Sequence, residues 1–387
     1  MQKIYDLTPT APDYRIDWQK IERSSFGIFL EKMKEIEQSE RWHKEGNVYI
    51  HTKMVCESLV SSLGYRRLDQ RRQSEVFLAC LLHDVGKIVS TRLDEGVWTS
   101  KGHSFSGTHI AREFLWTELD LCGSLDKIIF RETVCLLIRY HSSPVHIFDR
   151  EDPERKIVEI ASNGEIYTDF NLSLLCLLVE ADLKGRIHDN MDESLEPLYM
   201  TIEIAKELNC FENPYIYKDK FSEFAYLSGR NVGLGQDLYN DTFGEVILTC
   251  GLPASGKDYI INEKYSSYPM VSLDNIRREL KISPTDNQGL VIQTAKERAK
   301  EYLRKKQPFV WNATNITTDV RGKLIDTFID YKAYVKIEYV ETSFKEQLKR
   351  NKSRQYTVPE GVILKMLSKI VLPERKEAHE IIINENL

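Results

Sequence analysis

The chain has 387 residues, of which 42% are hydrophobic and 29% charged, a composition typical of a globular protein with roughly two to three domains. No apolar run approaches the roughly 18 residues that span a bilayer, and the first residues lack the apolar core of a signal peptide. The seven cysteines are scattered singly, without a C-x-x-C pair. We therefore expect reduced core thiols in a cytoplasmic protein that has no membrane partner.

The net charge of −6 is unevenly distributed along the chain. Residues 241–387 carry 24 Lys and Arg against 20 Asp and Glu, which leaves 29 against 39 for residues 1–240. An acidic first half is suited to metal cations and a mildly basic second half to phosphates, although solvated surfaces would give the same totals.

Helical periodicity dominates residues 1–205, and strand signals are few. Residues 206–242 are rich in aromatic residues and then in Gly and Asn, which predicts a packed connector that ends in a turn-rich joint. The helical segments repeat apolar residues at helical spacing or are apolar almost all round: 47–63, 74–87, 132–141 and 171–186.

From residue 243 short β-branched or aromatic runs alternate with helical segments such as 290–305 and 343–352. This alternation predicts a parallel sheet with crossover helices. The fold class is therefore two domains, an α domain (1–205) followed by an α/β domain (243–387). The strand-like runs are 245–250, 268–274, 307–314 and 333–341.

Groups that resist burial stand at the ends of the apolar helices of the first domain. His83 and Asp84 close one run, His141 closes another and Asp182 a third, while His51 lies on the preceding helix and His103 in "KGHSFSGTHIA". A single histidine of this kind is usually a hydrogen-bonded core residue, but the recurrence favours a metal site. Imidazole with carboxylate suits Mn, Fe, Co, Ni or Zn.

The ordered set of His51, "HDVGK" at 83–87, "GHSFSGT", "RYH" and "EAD" resembles the HD phosphohydrolase superfamily over roughly residues 40–190. The resemblance implies an all-helical HD domain around one or two metal ions that hydrolyse phosphomonoesters or phosphodiesters. It implies that a first metal is held by His51, His83, Asp84 and Asp182. Asp84 would bridge to a second metal, and His103 and His141 would serve that metal or the substrate phosphate.

Two cations of this domain, Lys87 and Arg186, sit one turn beyond a candidate ligand. They are candidate phosphate contacts, or else solvated cations at helix ends. His43, His109 and His146 lie nearby in the sequence, and we assign them no role.

The stretch "GLPASGKD" at 251–258 follows a predicted strand and precedes a predicted helix, the context of a phosphate-binding loop. The backbone amides of such a loop, here including Gly251, Ser255 and Gly256, cradle phosphates, and Lys257 would reach the β- and γ-phosphates of ATP. Asp258 replaces the usual Ser or Thr. A carboxylate is also a magnesium ligand, so we expect nucleotide binding that depends more strongly on Mg²⁺.

Later motifs suggest what is phosphorylated. Asp274 and Arg277 in "SLDNIRREL" follow the second strand on one helical face, where Asp can take a proton from an attacking hydroxyl and Arg can hold the acceptor's phosphate. "WNATN" at 311–315 ends the third strand, near the metal or the acceptor. Arg350 and Arg354 stand one helical turn apart in a predicted lid.

The loop, the D-x-x-R pair and the R-x-x-x-R lid together resemble the polynucleotide 5′-hydroxyl kinase family over about residues 243–387. The resemblance implies an adenylate-kinase-like P-loop fold that uses ATP, or another NTP, with Mg²⁺. There are two departures. Asp258 replaces the loop Ser/Thr, and Asn312 stands where many relatives carry Asp, which leaves more of the electrostatic work to Asp274.

The chain thus has an HD phosphohydrolase-like part followed by a polynucleotide-kinase-like part. Over nearly its whole length it resembles the bacterial end-healing enzymes that join these two domains in this order. That family phosphorylates a 5′-OH end and removes a 2′,3′-cyclic phosphate or a terminal 2′- or 3′-phosphate from RNA, with DNA ends a further possibility, before a separate ligase joins the ends. Two alternatives stay open. One is a nucleotidase fused to a nucleoside or small-molecule kinase, and the other is a nucleotide sensor that binds ATP without transfer.

Overall fold

The structure is a computed structural model and describes residues 1–39, 43–166, 168–187, 189–283 and 286–385. By their contacts the residues form two compact units. The first unit comprises Met1–Leu121 and Leu125–Tyr215, and the second comprises Cys122–Ser124 and Ile216–Leu387.

The first unit is helical, as the sequence predicts, with one short hairpin in addition. The hairpin pairs β1 (Arg92–Asp94) with β2 (Val97–Thr99), and its residues are mostly exposed. The helices are α1 (Gln2–Tyr5), α2 (Trp18–Arg23), α3 (Gly27–Met33), α4 (Val48–Ser61), α5 (Leu63–Arg66), α6 (Gln70–Leu82), α7 (Lys87–Ser90), α8 (His103–Thr117), α9 (Leu125–Tyr140), α10 (Pro153–Ser162), α11 (Leu172–Lys184) and α12 (Met191–Glu207), with 3₁₀ turns at Ile147–Asp149 and Asn163–Glu165.

Helix α6 is the centre of this unit. It packs against α4, α9 and α11, and every residue from Gln73 to Leu82 is buried. A helix that is covered on all sides has no solvent face to keep polar, which explains why its sequence is apolar almost all round.

Side-chain caps fix where the helices that carry the candidate metal ligands begin. Asn47 accepts a hydrogen bond from the backbone of Ile50 at the start of α4, and Asn171 accepts one from Leu174 at the start of α11. Each cap satisfies a backbone N–H that the helix leaves unpaired. Because the first turn is set in this way, the turns of α4 and α11 that carry His51 and Asp182 are set as well.

The second unit is an α/β unit whose first helix lies in the predicted connector. Its helices are α13 (Lys220–Leu227), α14 (Lys257–Lys264), α15 (Leu273–Leu280), α16 (Gln288–Arg304), α17 (Thr318–Asp330), α18 (Phe344–Ser353) and α19 (Glu360–Leu367), with a 3₁₀ turn at Arg375–Glu377. Its strands are β3 (Glu245–Cys250), β4 (Met270–Ser272), β5 (Phe309–Asn312), β6 (Tyr334–Val340) and β7 (Glu380–Asn384).

These strands form one parallel sheet of five, in the order β4-β5-β3-β6-β7. The central strand β3 is flanked by β5 on one side and by β6 on the other, so the chain changes direction across the sheet beside it. Ligands of open α/β sheets bind beyond the carboxyl ends of the strands at such a switch point. The loop that follows β3 lies at this place.

The predicted strands and the parallel sheet are confirmed, and one strand of this sheet was missed. β7 carries the short run "EIIIN", pairs only with β6 and is half-buried. Three consecutive apolar residues are too few for periodicity to separate a strand from a helix. All seven cysteines are buried and free, as expected of core thiols.

Candidate active sites

Six side chains of the first unit, all predicted as metal ligands, come together between its helices. Three of them belong to helices or helix ends that pack on α6, two directly follow α6, and all except His103, which is partly exposed, are 0–2% exposed. His51 lies in α4, His83 and Asp84 follow α6, His103 begins α8, His141 follows α9, and Asp182 lies in α11.

The first group of ligand atoms joins His51, His83 and Asp182. His51 Nε2 lies 3.0 Å from Asp182 Oδ1 and 3.4 Å from His83 Nε2. The second group joins Asp84, His103 and His141, whose two Nε2 atoms are 3.1 Å apart. In each group the ligand atoms lie within 4.8 Å of one another, close enough to share one ion.

Asp84 faces both groups with different oxygens. Its Oδ2 lies 3.2 Å from His83 Nε2 and 3.6 Å from His51 Nε2. Its Oδ1 lies 3.5 Å from His103 Nε2 and 4.0 Å from His141 Nε2. A carboxylate in this position can give one oxygen to each of two cations, which is the bridging arrangement expected from the sequence.

The hydrogen bonds of the imidazole rings leave their Nε2 lone pairs free for a metal. The Nδ1 atoms of His83, His103 and His141 lie 2.7, 2.9 and 2.8 Å from the backbone carbonyls of Cys80, Ser100 and Ile138. A carbonyl only accepts, so each Nδ1 carries the proton. The Nε2 atoms of His103 and His141 then face each other at 3.1 Å, and those of His51 and His83 at 3.4 Å. A cation between the two atoms of a pair would stabilise this arrangement. The residues present therefore fit transition-metal ions.

A close backbone contact brings the two motifs "HDVGK" and "GHSFSGT" together. A Cβ atom built on Gly86 would lie 2.0 Å from the carbonyl oxygen of His103 and 2.5 Å from the backbone nitrogen of Gly107. No side chain fits at that distance, so only glycine allows α8 to begin beside the end of α6. This contact places His103 next to Asp84.

Lys87 and Arg186 contact the candidate ligands directly. Lys87 Nζ lies 2.8 Å from Asp84 Oδ2 and donates to Gln38 Oε1 at 2.7 Å, and Arg186 binds both oxygens of Asp182. Burial opposes the charge of the two carboxyls, but these cations hold the pKa of Asp84 and of Asp182 well below the usual range. Lys87 is 8% exposed, so it is not a solvated helix-end cation. A phosphate contact of either cation stays a prediction.

Sequence reasoning missed Glu45 and Gln38 and assigned His43 no role. Glu45 Oε1 lies 2.8 Å from His43 Nδ1 and 3.0 Å from His51 Nδ1, where its charge favours the tautomer with a free Nε2 on His51. These residues lie in or near a polar segment, and no periodic signal marks them. Neither His109 nor His146 belongs to a group of potential ligands among the described residues.

The loop after β3 has the backbone that a phosphate-binding loop requires. Gly251 has a φ of +149°, and a Cβ atom there would lie 2.4 Å from the carbonyl oxygen of Val340. Gly256, with a φ of +113°, directly precedes α14. Within the described residues Ser255 Oγ is buried without a hydrogen-bond partner. A bound phosphate would give this hydroxyl an acceptor, so the loop fits a nucleotide.

Lys257 lies over this loop, and its ammonium group donates to the carbonyl oxygens of Gly251 at 3.0 Å and Leu252 at 2.7 Å. Burial lowers its pKa to about 8. The group is therefore held at the loop by weak neutral acceptors, which phosphate oxygens would replace with stronger ones.

Asp258, the unusual eighth residue of the loop motif, contacts the end of β5. Asn312 Nδ2 donates to Asp258 Oδ1 at 2.8 Å, and the Thr249 hydroxyl lies 3.1 Å from Asn312 Oδ1. Asp258 and Asn312 also line a cavity of 180 Å³ together with Asp274. A carboxylate beside a cavity that takes several waters fits Mg²⁺, which binds through one or two carboxylates and keeps part of its hydration shell.

The predicted acceptor residues share one larger cavity of 750 Å³ with the loop. Asp274 and Arg277 lie in α15, directly after β4, and form an ion pair, while Arg277 Nε also donates to Gln288 Oε1 at 2.7 Å. The side chains that line this cavity include Lys257, Asp258, Asp274, Arg277, Arg278, Lys281, Asn312, Arg350, Arg354 and Tyr356. Arg278, Lys281 and Tyr356 were not predicted.

The prediction that Arg350 and Arg354 stand one helical turn apart is corrected. α18 ends at Ser353, and Arg354 follows it in an extended conformation. Asn351 reverses the chain because its side chain bonds the backbone of Val358 twice, at 2.7 and 3.0 Å. Both arginines nevertheless line the large cavity.

Comparison with known families finds two matches along the chain, one before and one after the predicted connector. Residues 48–163 match the family model of the HD domain, and residues 246–373 match that of an AAA domain, AAA_33. The first match contains every predicted metal ligand except Asp182. A comparison with curated proteins finds no match.

The two matches support an enzyme that joins a metal-dependent phosphohydrolase domain of the HD type to a kinase-like P-loop domain. Its chemistry is accordingly that of a nucleotide-related hydrolase and kinase. In the part of the chain that the structure describes, no helix combines the length and the apolar character needed to cross a membrane.

Proposed function

We propose that the protein heals the ends of broken RNA. The second unit transfers the γ-phosphate of ATP to a 5′-OH end, and the first unit removes a 2′,3′-cyclic phosphate or a terminal phosphate from the other end. The observation that carries the proposal is the shared cavity of the second unit, where a candidate base and an arginine cluster meet the phosphate loop. A separate ligase would then join the healed ends.

In the kinase reaction Asp274 is the group that takes the proton of the attacking 5′-OH. Its side chain is 59% exposed at the cavity, and its ion pair with Arg277 orients it. Arg277 is then placed to hold the phosphate that follows the acceptor nucleoside. Lys257 holds the donor phosphates at the loop, and Mg²⁺ bound with ATP supplies neutralisation of their charge.

The composition of the cavity favours a polynucleotide acceptor over a neutral small molecule. Arg277, Arg278, Lys281, Arg350 and Arg354 line it, more positive charge than one transferred phosphoryl group requires. Tyr356 is 58% exposed, and the Arg278 guanidinium lies 5.0 Å from its ring centroid. An exposed aromatic ring beside an arginine is a stacking platform for a nucleobase.

In the phosphohydrolase reaction His51, His83, Asp84 and Asp182 would hold one metal, and Asp84, His103 and His141 a second. Bound metal supplies a water of near-neutral pKa and a counter-charge for the phosphate oxygens. The backbone carbonyls behind His83, His103 and His141 keep their rings turned toward the site. Lys87 and Arg186 keep Asp84 and Asp182 ionised, so these carboxylates stay ligands at neutral pH.

The test uses a short RNA with a 5′-OH and a 2′,3′-cyclic phosphate, incubated with ATP, Mg²⁺ and a panel of transition metals. Mass spectrometry reads both ends. We expect a gain of 5′-phosphate and a loss of the 3′-terminal phosphate. Free nucleosides and nucleotides run in parallel, and reaction of these alone, with unchanged RNA, would contradict end healing and favour the small-molecule alternative.

Asp274→Ala separates a kinase from a nucleotide sensor in the same assay. We expect RNA phosphorylation to fall by about 10²-fold or more, since general-base catalysis contributes at least that much, while ATP binding is retained. An ATP-dependent output that Asp274→Ala leaves unchanged would point to binding without transfer.

A further inference from the structure

The contact between Asp258 and Asn312 joins the two positions at which this phosphate loop departs from the common pattern. Asp258 is the second residue of α14, and Asn312 is the last residue of β5. Asn312 is 8% exposed, and its Nδ2 donates to Asp258 Oδ1 at 2.8 Å. Two departures that look independent in the sequence are therefore one contact in the fold.

The orientation of the Asn312 amide is set by its neighbours. An ionised carboxylate only accepts hydrogen bonds, so the amide nitrogen, not its oxygen, faces Asp258. The amide oxygen faces the Thr249 hydroxyl at 3.1 Å. Asn312 thus serves as a neutral donor whose position the central strand holds.

P-loop NTPases hold Mg²⁺ with a Ser or Thr hydroxyl at the end of the loop and with an Asp from a strand end. Here the carboxylate stands at the end of the loop and the neutral polar group stands at the strand end. We infer that Asp258 and Asn312 are an exchanged pair. Asp258 supplies the carboxylate that a residue at the strand end supplies in other P-loop NTPases. The ligand, Mg²⁺ with a nucleoside triphosphate, rests on the proposed kinase function, whereas the pairing rests on the contact alone.

Electrostatics explains why one exchange requires the other. An Asp at position 312 would put two carboxylates about as close as the present 2.8 Å contact, where their like charges repel unless a cation lies between them. With Asn312 the pair keeps one carboxylate, that of Asp258, which lines the 180 Å³ cavity together with Asp274, and the cavity leaves room for the waters that Mg²⁺ retains.

The first experiment measures the pair without metal or nucleotide, by calorimetry of the full chain. We expect Asn312→Asp to lower the Tm of the affected transition by about 2–4 °C. The reciprocal variant, Asp258→Asn with Asn312→Asp, restores a donor opposite a carboxylate and should recover most of that loss. Gln293→Glu, which adds a charge at an exposed position of α16 away from the cavity, is the control and should change the Tm little.

The second experiment measures binding of a fluorescent ATP analogue as Mg²⁺ is raised. Asp258→Asn should need about tenfold or more Mg²⁺ for the same binding, while the reciprocal variant should regain the wild-type dependence. If Asn312→Asp does not fold, the reciprocal variant still decides the question.

Two results would overturn the exchange: an unchanged Tm in Asn312→Asp, or a reciprocal variant as impaired as the single ones in both assays. A wild-type protein that binds the analogue and shows the coupling, yet phosphorylates no RNA end, would instead contradict the proposed function and leave the exchanged pair standing.

Discussion

The two candidate sites differ in how much of their chemistry is buried. His51, His83 and Asp84 are 0–2% exposed, and they are enclosed by α6 and the helices that pack on it. In the second unit Asp274 keeps 59% and Arg277 24% of the side chain exposed, at a cavity of 750 Å³. The geometry of the first site suits ions held in fixed positions, and that of the second suits the large, charged acceptor of the proposed function.

Burial of charge alone does not mark a site in either unit. Arg112 and Arg131 are buried with Glu132, and Arg321 is buried with Glu377. In these ion pairs the buried charges are balanced by protein side chains. The candidate metal site is distinguished by the Nε2 atoms of two histidine pairs, which face each other at 3.1 and 3.4 Å. Acceptor atoms that face one another, and not buried charges, therefore indicate a candidate cation site.

The largest expected effect tests whether the two sites act independently. Asp84→Ala removes the oxygens that face both ligand groups, so phosphohydrolase activity should fall by about 10³-fold or more while RNA kinase activity is kept. The measurement is the mass assay of both RNA ends. His146→Ala, an exposed histidine of the same unit, is the control and should leave both activities unchanged. Loss of both activities in Asp84→Ala would show one coupled unit.

The reverse variant is Lys257→Ala. It removes the ammonium group that the loop holds by two carbonyls, and kinase activity should fall by about 10²–10³-fold because the donor phosphates lose that charge. Phosphohydrolase activity should be unchanged. Lys323→Ala on the exposed face of α17 serves as the control. A kinase rate unaffected by Lys257→Ala would exclude the loop as the donor site.

Tyr356→Ala tests whether the open cavity of the second site binds a base of the RNA acceptor. Loss of one stacked base costs about 1–3 kcal/mol, so the KM for the RNA acceptor should rise by about tenfold with the KM for ATP unchanged. Tyr356→Phe keeps the ring and should behave as wild type. A rise in the KM for ATP instead would place the adenine, not the acceptor base, on Tyr356.

A further prediction concerns stability and not activity, and it involves a buried group of the second unit that lies outside its site. Burial lowers the pKa of His379 to about 4, and its Nδ1 accepts a hydrogen bond from the backbone of Val335 at 3.0 Å. The unfolded chain takes up this proton near pH 6.5. The stabilisation is therefore complete above pH 6.5 and is lost as the pH falls toward 4, by roughly 3 kcal/mol in all.

Hydrogen exchange of the peptide that contains β6, corrected for the intrinsic effect of pH, measures this loss. Protection should decrease between pH 6.5 and 5 in the wild type. His379→Gln keeps an acceptor without a titrating ring, so its protection should depend less on pH. The same decrease in both proteins would mean that His379 is not responsible.

The sequence was sufficient for the parts of the molecule where burial leaves a pattern. The ends of α6, α9 and α11 stand out because polar residues follow long apolar runs, and the first four strands of the second unit stand out as short apolar runs between helices. Glu45 could not be found in this way, since it lies in a polar segment and acts only through its contacts with His43 and His51.

Other features depended on contacts between distant residues. The position of Arg354 follows from the two bonds between Asn351 and Val358, which end α18 early and which periodicity does not show. Asp258 and Asn312 were each recognised as departures, but only the parallel pairing of β3 with β5 brings them together. Pairings of this kind are set by the sheet and not by any local segment.

The contact of Gly86 with His103 and Gly107 also has a consequence for the length of the chain between them. It closes a loop whose two ends are fixed by packed backbone, while the tip of the loop is the exposed hairpin of β1 and β2. The entropy of closing a loop grows only slowly with its length, so residues added between Asp94 and Val97 should cost little stability. This hairpin is therefore a position at which an insertion can vary in length while Asp84 and His103 keep their places.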